Sequence, residues 1–235
     1  MIQEILTAWC AEHQLSLSDR QTAAFQTYAD LLIEWNQKMN LTAITEPQEI
    51  AVKHFIDSLT VLTCVELKEG ASLIDIGTGA GFPGIPLKIM RPDLQLTLLD
   101  SLNKRLVFLD EVCRTLSLQA ELLHARAEEY GQKPAYREQY DYAVSRAVAN
   151  LPSLCEYCIP YLKVGGQFIA MKGPDGEAEL QSAANALRLL NSGITSVTSL
   201  VLPDDSTRTI ICLKKTAPTP SRYPRRGVKI AKTPL

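Results

Sequence analysis

The stretch Leu73-Ile74-Asp75-Ile76-Gly77-Thr78-Gly79-Ala80-Gly81-Phe82-Pro83-Gly84-Ile85-Pro86 decides the fold. A short apolar run leads into a glycine-rich turn and then into a helical pattern, the layout of a strand that delivers a loop to a ligand. Glycines at such a turn let the backbone bend sharply and approach a ligand where a Cβ would collide. By itself the pattern is shared with nicotinamide and flavin sites. Asp75 shifts the balance, because an acid inside the strand suits a ligand carrying ammonium and sulfonium cations better than an anionic pyrophosphate. Pro83 and Pro86 shift it further, since they remove amides that a pyrophosphate would use. Asp100, at the end of the next apolar run, lies at the distance where an acid takes both ribose hydroxyls, which fits either ligand.

Outward from the loop, short apolar runs alternate with amphipathic helices. The spacing predicts strands at 73–76, 94–99, 120–123, 142–145 and 167–171, and helices at 82–90, 104–116 and 178–190. Residues 194–200 and 209–213 read as a closing antiparallel pair. The expected fold is α/β, a mostly parallel sheet with helices on both faces. Residues 1–70 read as an N-terminal helical cap. Ser18-Asp19-Arg20-Gln21 has capping-box form, and Phe25, Tyr28, Leu31, Leu32, Trp35 and Met39 follow at helical spacing. The main domain is expected over 71–215. The proline-bearing tail, 216–235, is expected to be irregular and mobile.

The chain has 235 residues, 46% of them hydrophobic, which allows one substantial core plus an appendage. No apolar stretch approaches the roughly 20 residues of a membrane span, and the N-terminus lacks a basic-then-apolar leader pattern, so a cytoplasmic location and no membrane contact are expected. The six cysteines show no disulfide framework. Cys155 and Cys158 have metal-site spacing but lack a second ligand pair, so packing on one helix face is expected and no metal. Net charge is −2, yet residues 206–235 hold eight basic side chains and no acidic one. Such a terminus fits either phosphate-backbone contact or a solvated tail.

Residues 75–86 resemble the cofactor loop of the small-subunit (16S) rRNA guanine-N7 methyltransferases, the RsmG or glucose-inhibited division protein B family. So do 99–105 (Leu-Asp-Ser-Leu-Asn-Lys-Arg), 125–129 (Ala-Arg-Ala-Glu-Glu) and 141–147 (Asp-Tyr-Ala-Val-Ser-Arg-Ala). Asn40-Leu41-Thr42, His54-Phe55-Ile56-Asp57-Ser58-Leu59 and Met171-Lys172-Gly173 continue the match. The tail, Arg222-Tyr223-Pro224-Arg225-Arg226-Gly227, is looser and closes on Lys-Thr-Pro-Leu rather than the family's Lys-Pro-Leu. The resemblance implies a Rossmann-like class I methyltransferase with S-adenosyl-L-methionine as cofactor and 16S rRNA within the small ribosomal subunit as partner. It implies cofactor contact by Gly77, Phe82, Asp100, Ser101, Leu102, Ala127 and Glu128, with Arg146 at the active centre. Asp75 and Gly79 join that set from the loop reading. Placement at the carboxyl ends of strands agrees with where open α/β sheets bind ligands.

For such an enzyme the target nitrogen, guanine N7, has a free lone pair, so no general base is required. Catalysis would rest on orientation. Arg146 could hold the guanine edge, a phosphate or the cofactor, the last two being preferred. His54 and Asp57 lie one helical turn apart and could face the cleft, although a satisfied core histidine is the stronger reading. The chain is expected to act as a monomer. A methyltransferase for another RNA, a protein or a small molecule, a nicotinamide-dependent oxidoreductase, and an RNA-binding module with an inactive loop remain as alternatives.

Overall fold

The computed structural model describes residues 1–146 and 149–235. Ala147, the last residue of the 141–147 motif, lies outside the described residues. The sheet has seven strands: β1 (Ser72–Ile76), β2 (Gln95–Asp100), β3 (Ala120–His124), β4 (Tyr140–Arg146), β5 (Leu162–Lys172), β6 (Ser192–Val201) and β7 (Thr207–Lys215). Their order is β3-β2-β1-β4-β5-β7-β6. The first five run parallel, and β7 pairs antiparallel with both β5 and β6. The order reverses between β1 and β4, so the loops leaving these strands diverge and open a crevice at their carboxyl ends.

Both faces of the central strands are covered, which is why β1, β2 and β4 read as continuous apolar runs rather than alternating ones. On one face Leu73, Leu96, Leu98, Val144 and Ile169 pack beneath the helical cap together with α5 (Gly84–Met90) and α6 (Asn103–Thr115). On the other, Ile74, Ile76, Ala143, Phe168 and Ala170 pack against α8 (Leu151–Cys158) and α10 (Ala184–Leu189). The cap comprises α1 (Ile2–Glu12), α2 (Asp19–Met39), α3 (Pro47–Glu49), a π-helical segment Ile50–Ile56, and α4 (Asp57–Cys64). Ser18 and Gln21 form the capping box at the start of α2. Tyr28, fully buried, donates its hydroxyl to the Ala80 carbonyl and so ties the cap to the glycine loop.

Three departures from the sequence expectations have physical causes. The helix expected from Phe82 begins at Gly84, because Gly77 to Pro83 are taken up by the loop. The single helix expected over 178–190 is two, α9 (Gly176–Ser182) and α10, with a break that buries Ala183, Ala186 and Leu187 against the sheet. The tail expected to be mobile is docked: Tyr223 and Ile230 are buried, and 227–232 form α11 (Gly227–Lys232). The apolar and ion-pairing residues of the tail are too sparse to show periodicity, yet Tyr223, Ile230 and Arg225 each find a partner on the domain. Cys155 and Cys158 are fully buried on α8. All six thiols are free, and the described residues contain no His/Cys/Asp/Glu cluster able to hold a metal.

Candidate active site

The loop after β1 is organised from behind by Asp75. Its carboxylate is fully buried, and Oδ2 accepts from the Thr78 hydroxyl at 2.7 Å and the Gly84 amide at 2.9 Å. Burial pushes its pKa up to about 6, against the opposite pull of those two hydrogen bonds. Oδ1 has no hydrogen-bond partner. Gly77 and Thr78 donate their amides to the Leu99 carbonyl, which fixes the loop against β2. Gly77, Gly79 and Gly81 all have positive φ. A Cβ on Gly81 would meet Ile85 and Leu109 at 2.8 Å, whereas one on Gly79 would come no nearer than 4.0 Å to its neighbours. Gly81 therefore serves packing, and Gly79 faces open space beside a cavity.

Two cavities flank this loop. One, about 430 Å³, is lined by Gly77, Gly79, Phe82, Asp100, Ser101 and Arg146 among others. The second, about 500 Å³, shares Gly77 and Ser101 and continues past Ala127 and Glu128 of α7 (Ala127–Tyr130). Eight of the ten expected site residues thus line two adjoining spaces at the carboxyl ends of the strands. Asp75 and Leu102 do not. Asp75 lies behind the loop, and the Leu102 side chain is exposed while its amide donates to Asp100 Oδ1 at 2.8 Å. Asp100 Oδ2 accepts from the Gly79 amide at 3.0 Å and from Arg105 at 3.1 Å. A larger cavity, about 1080 Å³, opens near the amino ends of β1, β2 and β3. It touches neither the glycine loop nor Asp100, so its size does not mark the site.

Arg146, at the end of β4, is held by the cap. Its Nη1 donates to Asp57 Oδ2 at 2.8 Å and to the Lys53 carbonyl at 3.0 Å, and Nη2 donates to His54 Nδ1 at 3.3 Å. Asp57 Oδ1 accepts from Arg208 of β7 at 3.0 Å. With Nδ1 accepting from a guanidinium, the hydrogen-bond network assigns the proton to Nε2, which donates to the Thr42 hydroxyl at 2.9 Å. Burial, reinforced by the Arg146 charge, pushes the His54 pKa down to about 3. His54 stacks on Phe82 with ring centroids 4.3 Å apart. It is a satisfied histidine that also lines the cavity. A third cavity, about 420 Å³, adjoins at His54 and Arg146 and is bordered by Lys53, Lys172 and Arg208.

Sequence reasoning missed Thr42 and Arg105 as lining residues, and Arg208 as a partner of Asp57. Arg105 stood inside a quoted motif, one turn after Asp100, which was a usable signal. Arg208 carries none, since in the sequence it belongs to the terminal basic run. That run is not a unit. Arg208 pairs with Asp57, Arg225 with the fully buried Glu156, and Lys215, itself fully buried, with Glu138.

The architecture is that of the Rossmann-like methyltransferases. An adenosylmethionine-dependent methyltransferase from Aquifex aeolicus superposes with TM-score 0.55 at 18% identity, covering 74% of this chain and 97% of that one. An O-methyltransferase from Thermotoga maritima gives 0.53 at 16% identity, covering 80% and 72%. A family model described as rRNA small subunit methyltransferase G (GidB) matches residues 21–209. Ribosomal RNA small subunit methyltransferase G of Alkaliphilus metalliredigens is 50% identical over 233 residues, 98% of each chain, and that of Clostridium novyi is 45% identical over 99% of this chain and 96% of the relative. The chain belongs to the rRNA small subunit methyltransferase G family.

Proposed function

We propose that this enzyme methylates N7 of a guanine in 16S rRNA, acting as a cytoplasmic monomer on RNA of the small ribosomal subunit. S-adenosyl-L-methionine is the methyl donor and supplies an electrophilic sulfonium methyl. The adjoining cavities suit its elongated shape. The buried Asp100 carboxylate is suited to the ribose hydroxyls, once Arg105 shares or yields its place on Oδ2. Ser101, Ala127 and Glu128 would border the adenine, while Gly77, Gly79, Phe82 and Arg146 would border the amino-acid end. Asp75 supports the loop from behind, and Leu102 contributes through its backbone beside Asp100.

The observation that carries the N7 reading is the state of His54. A histidine pushed down to about 3, with both nitrogens engaged, is a poor base at neutral pH. Asp57 is held between two guanidiniums. A nucleophile that loses no proton fits such a site, and guanine N7 is one. Arg146, oriented by Asp57, Lys53 and His54, is placed to hold an anionic group of cofactor or RNA, and orientation supplies the rate. The test is methyl transfer from labelled adenosylmethionine to small subunits from cells lacking this gene, with the product nucleoside identified by mass spectrometry. N7-methylguanosine is expected in 16S rRNA. A methyl group on an exocyclic amine, a ribose oxygen or a small molecule would overturn the reading.

A further inference from the structure

The C-terminal segment does more than cover the domain. We propose that residues 216–235 form a fixed wall of the cofactor cavity, and that Gly227 and Ala231 of α11 set the room for the adenine end. The inference rests on the reading that the cavity beside Ala127 and Glu128 takes the adenosyl group. Both residues line that cavity together with Gly77 and Ser101. A Cβ on Gly227 would strike the Glu128 carboxylate, so the start of α11 lies directly on a side chain of the expected adenine border.

The wall is anchored at several independent points. Arg137 donates to the carbonyls of Thr219, Pro220 and Tyr223. Gln132 donates to the Pro224 carbonyl at 2.8 Å, and Glu138 accepts the Thr219 amide at 2.9 Å. Glu156 of α8, fully buried, accepts the Arg225 amide at 2.7 Å and its guanidinium at 2.6 and 2.8 Å. Arg225 in turn donates to the Thr233 carbonyl, which closes the segment on itself. Most of these anchors belong to the stretch after α7 and to α8, whose residues Ser153 and Tyr157 also line the cavity. The wall is therefore hydrogen-bonded to the same helix that lines the cavity floor. Glu156 is a positioning residue, because truncating its side chain leaves the half-buried Arg225 guanidinium without its counter-charge and frees the amide of Arg225.

Ala231 is exposed as well as cavity-lining, so enlarging it does not disturb the core. A series Ala231→Val, Ala231→Leu and Ala231→Trp should progressively weaken adenosylhomocysteine binding by calorimetry, reaching on the order of tenfold or more, with Tm of the free protein unchanged. Glu156→Gln should raise KM for adenosylmethionine while leaving KM for small subunits unchanged, and kcat at saturating cofactor should stay close to wild type. Asp100→Ala is the control. If the Ala231 series binds like wild type while Asp100→Ala loses affinity, the wall is overturned and the cavity reading survives. If neither substitution changes affinity, both fail. Loss of affinity in the series with parallel loss of Tm would mark α11 as a structural brace and would also overturn the proposal.

Discussion

The glycine loop and the cluster around Arg146 meet at Phe82, yet they are built on opposite plans. The loop is local: Asp75 accepts from both Thr78 and Gly84 within ten residues, and the backbone between them has conformations suited to glycine. The cluster draws Thr42, His54 and Asp57 from the cap, Arg146 from β4 and Arg208 from β7. A local device leaves its pattern in the sequence because spacing and geometry are the same fact. A cluster collected from three parts of the chain leaves only isolated residues, and its charges make sense once the partners are seen together.

The sharpest break in this comparison is Asp57→Ala. It leaves the Arg146 and Arg208 guanidiniums facing one another without their shared acid. The cost should be about 3 kcal/mol in denaturant unfolding, the low end of the range for broken buried pairs, because both arginines retain some solvent contact. Wild-type stability would show that the cluster does not brace the cap against the sheet.

Within the loop the glycines should separate. Gly81→Ala combines a left-handed backbone with collisions against Ile85 and Leu109, for a loss of about 2–4 kcal/mol. Gly79→Ala meets open space, so it should cost only the backbone term, about 1–2 kcal/mol, while weakening cofactor binding. Thermal melts and calorimetry on both variants check the division. Equal melting temperatures would contradict it.

Asp100→Ala should weaken adenosylhomocysteine binding by about 1.5–3 kcal/mol, the range for hydrogen bonds to a charged group. A 2′-deoxy analogue should lose less. Because Asp100 also holds the Gly79 and Leu102 amides, equal losses for both ligands would assign it to the scaffold rather than to the ribose.

The most gradual effect is a pH slope. His54 is pushed down to about 3 in the folded protein, so as pH falls below about 6.5 the unfolded chain takes up the proton first. Stability contributed by neutral His54 is full above that value and declines as pH falls toward 3. Asp75, pushed up to about 6, acts oppositely: its contribution is full below the ordinary carboxylate value and declines as pH rises through 6. His54→Phe keeps a ring on Phe82 and removes one titration. The wild-type stability minus that of His54→Phe should fall between pH 6.5 and 3, and a flat difference would deny that burial holds His54 neutral.

Much of this molecule could be read directly. Apolar runs at 73–76 and 94–99 became buried parallel strands because a sheet covered on both faces leaves no polar alternation to confuse the pattern. The capping box at Ser18 formed because its partners are three residues apart. Gly77, Gly79, Asp100 and Ser101 came together because each ends or follows a strand, and parallel strands carry their ends to one edge.

Asp75 was read as facing the ligand, but alternation along β1 turns it beneath the loop with Leu73, where it organises the backbone instead. The tail's composition reads as a solvated, mobile end, whereas the buried Glu156 and the reach of Arg137 help to dock it. The sequence by itself determined the succession of strands and helices, the loop and the acids near it, since those depend on neighbours in the chain. Tertiary structure alone decided which charges are neutralised, that His54 is neutral, and that α11 borders the second cavity. Charge pairing and desolvation depend on what approaches through space, and spacing along the chain does not encode it.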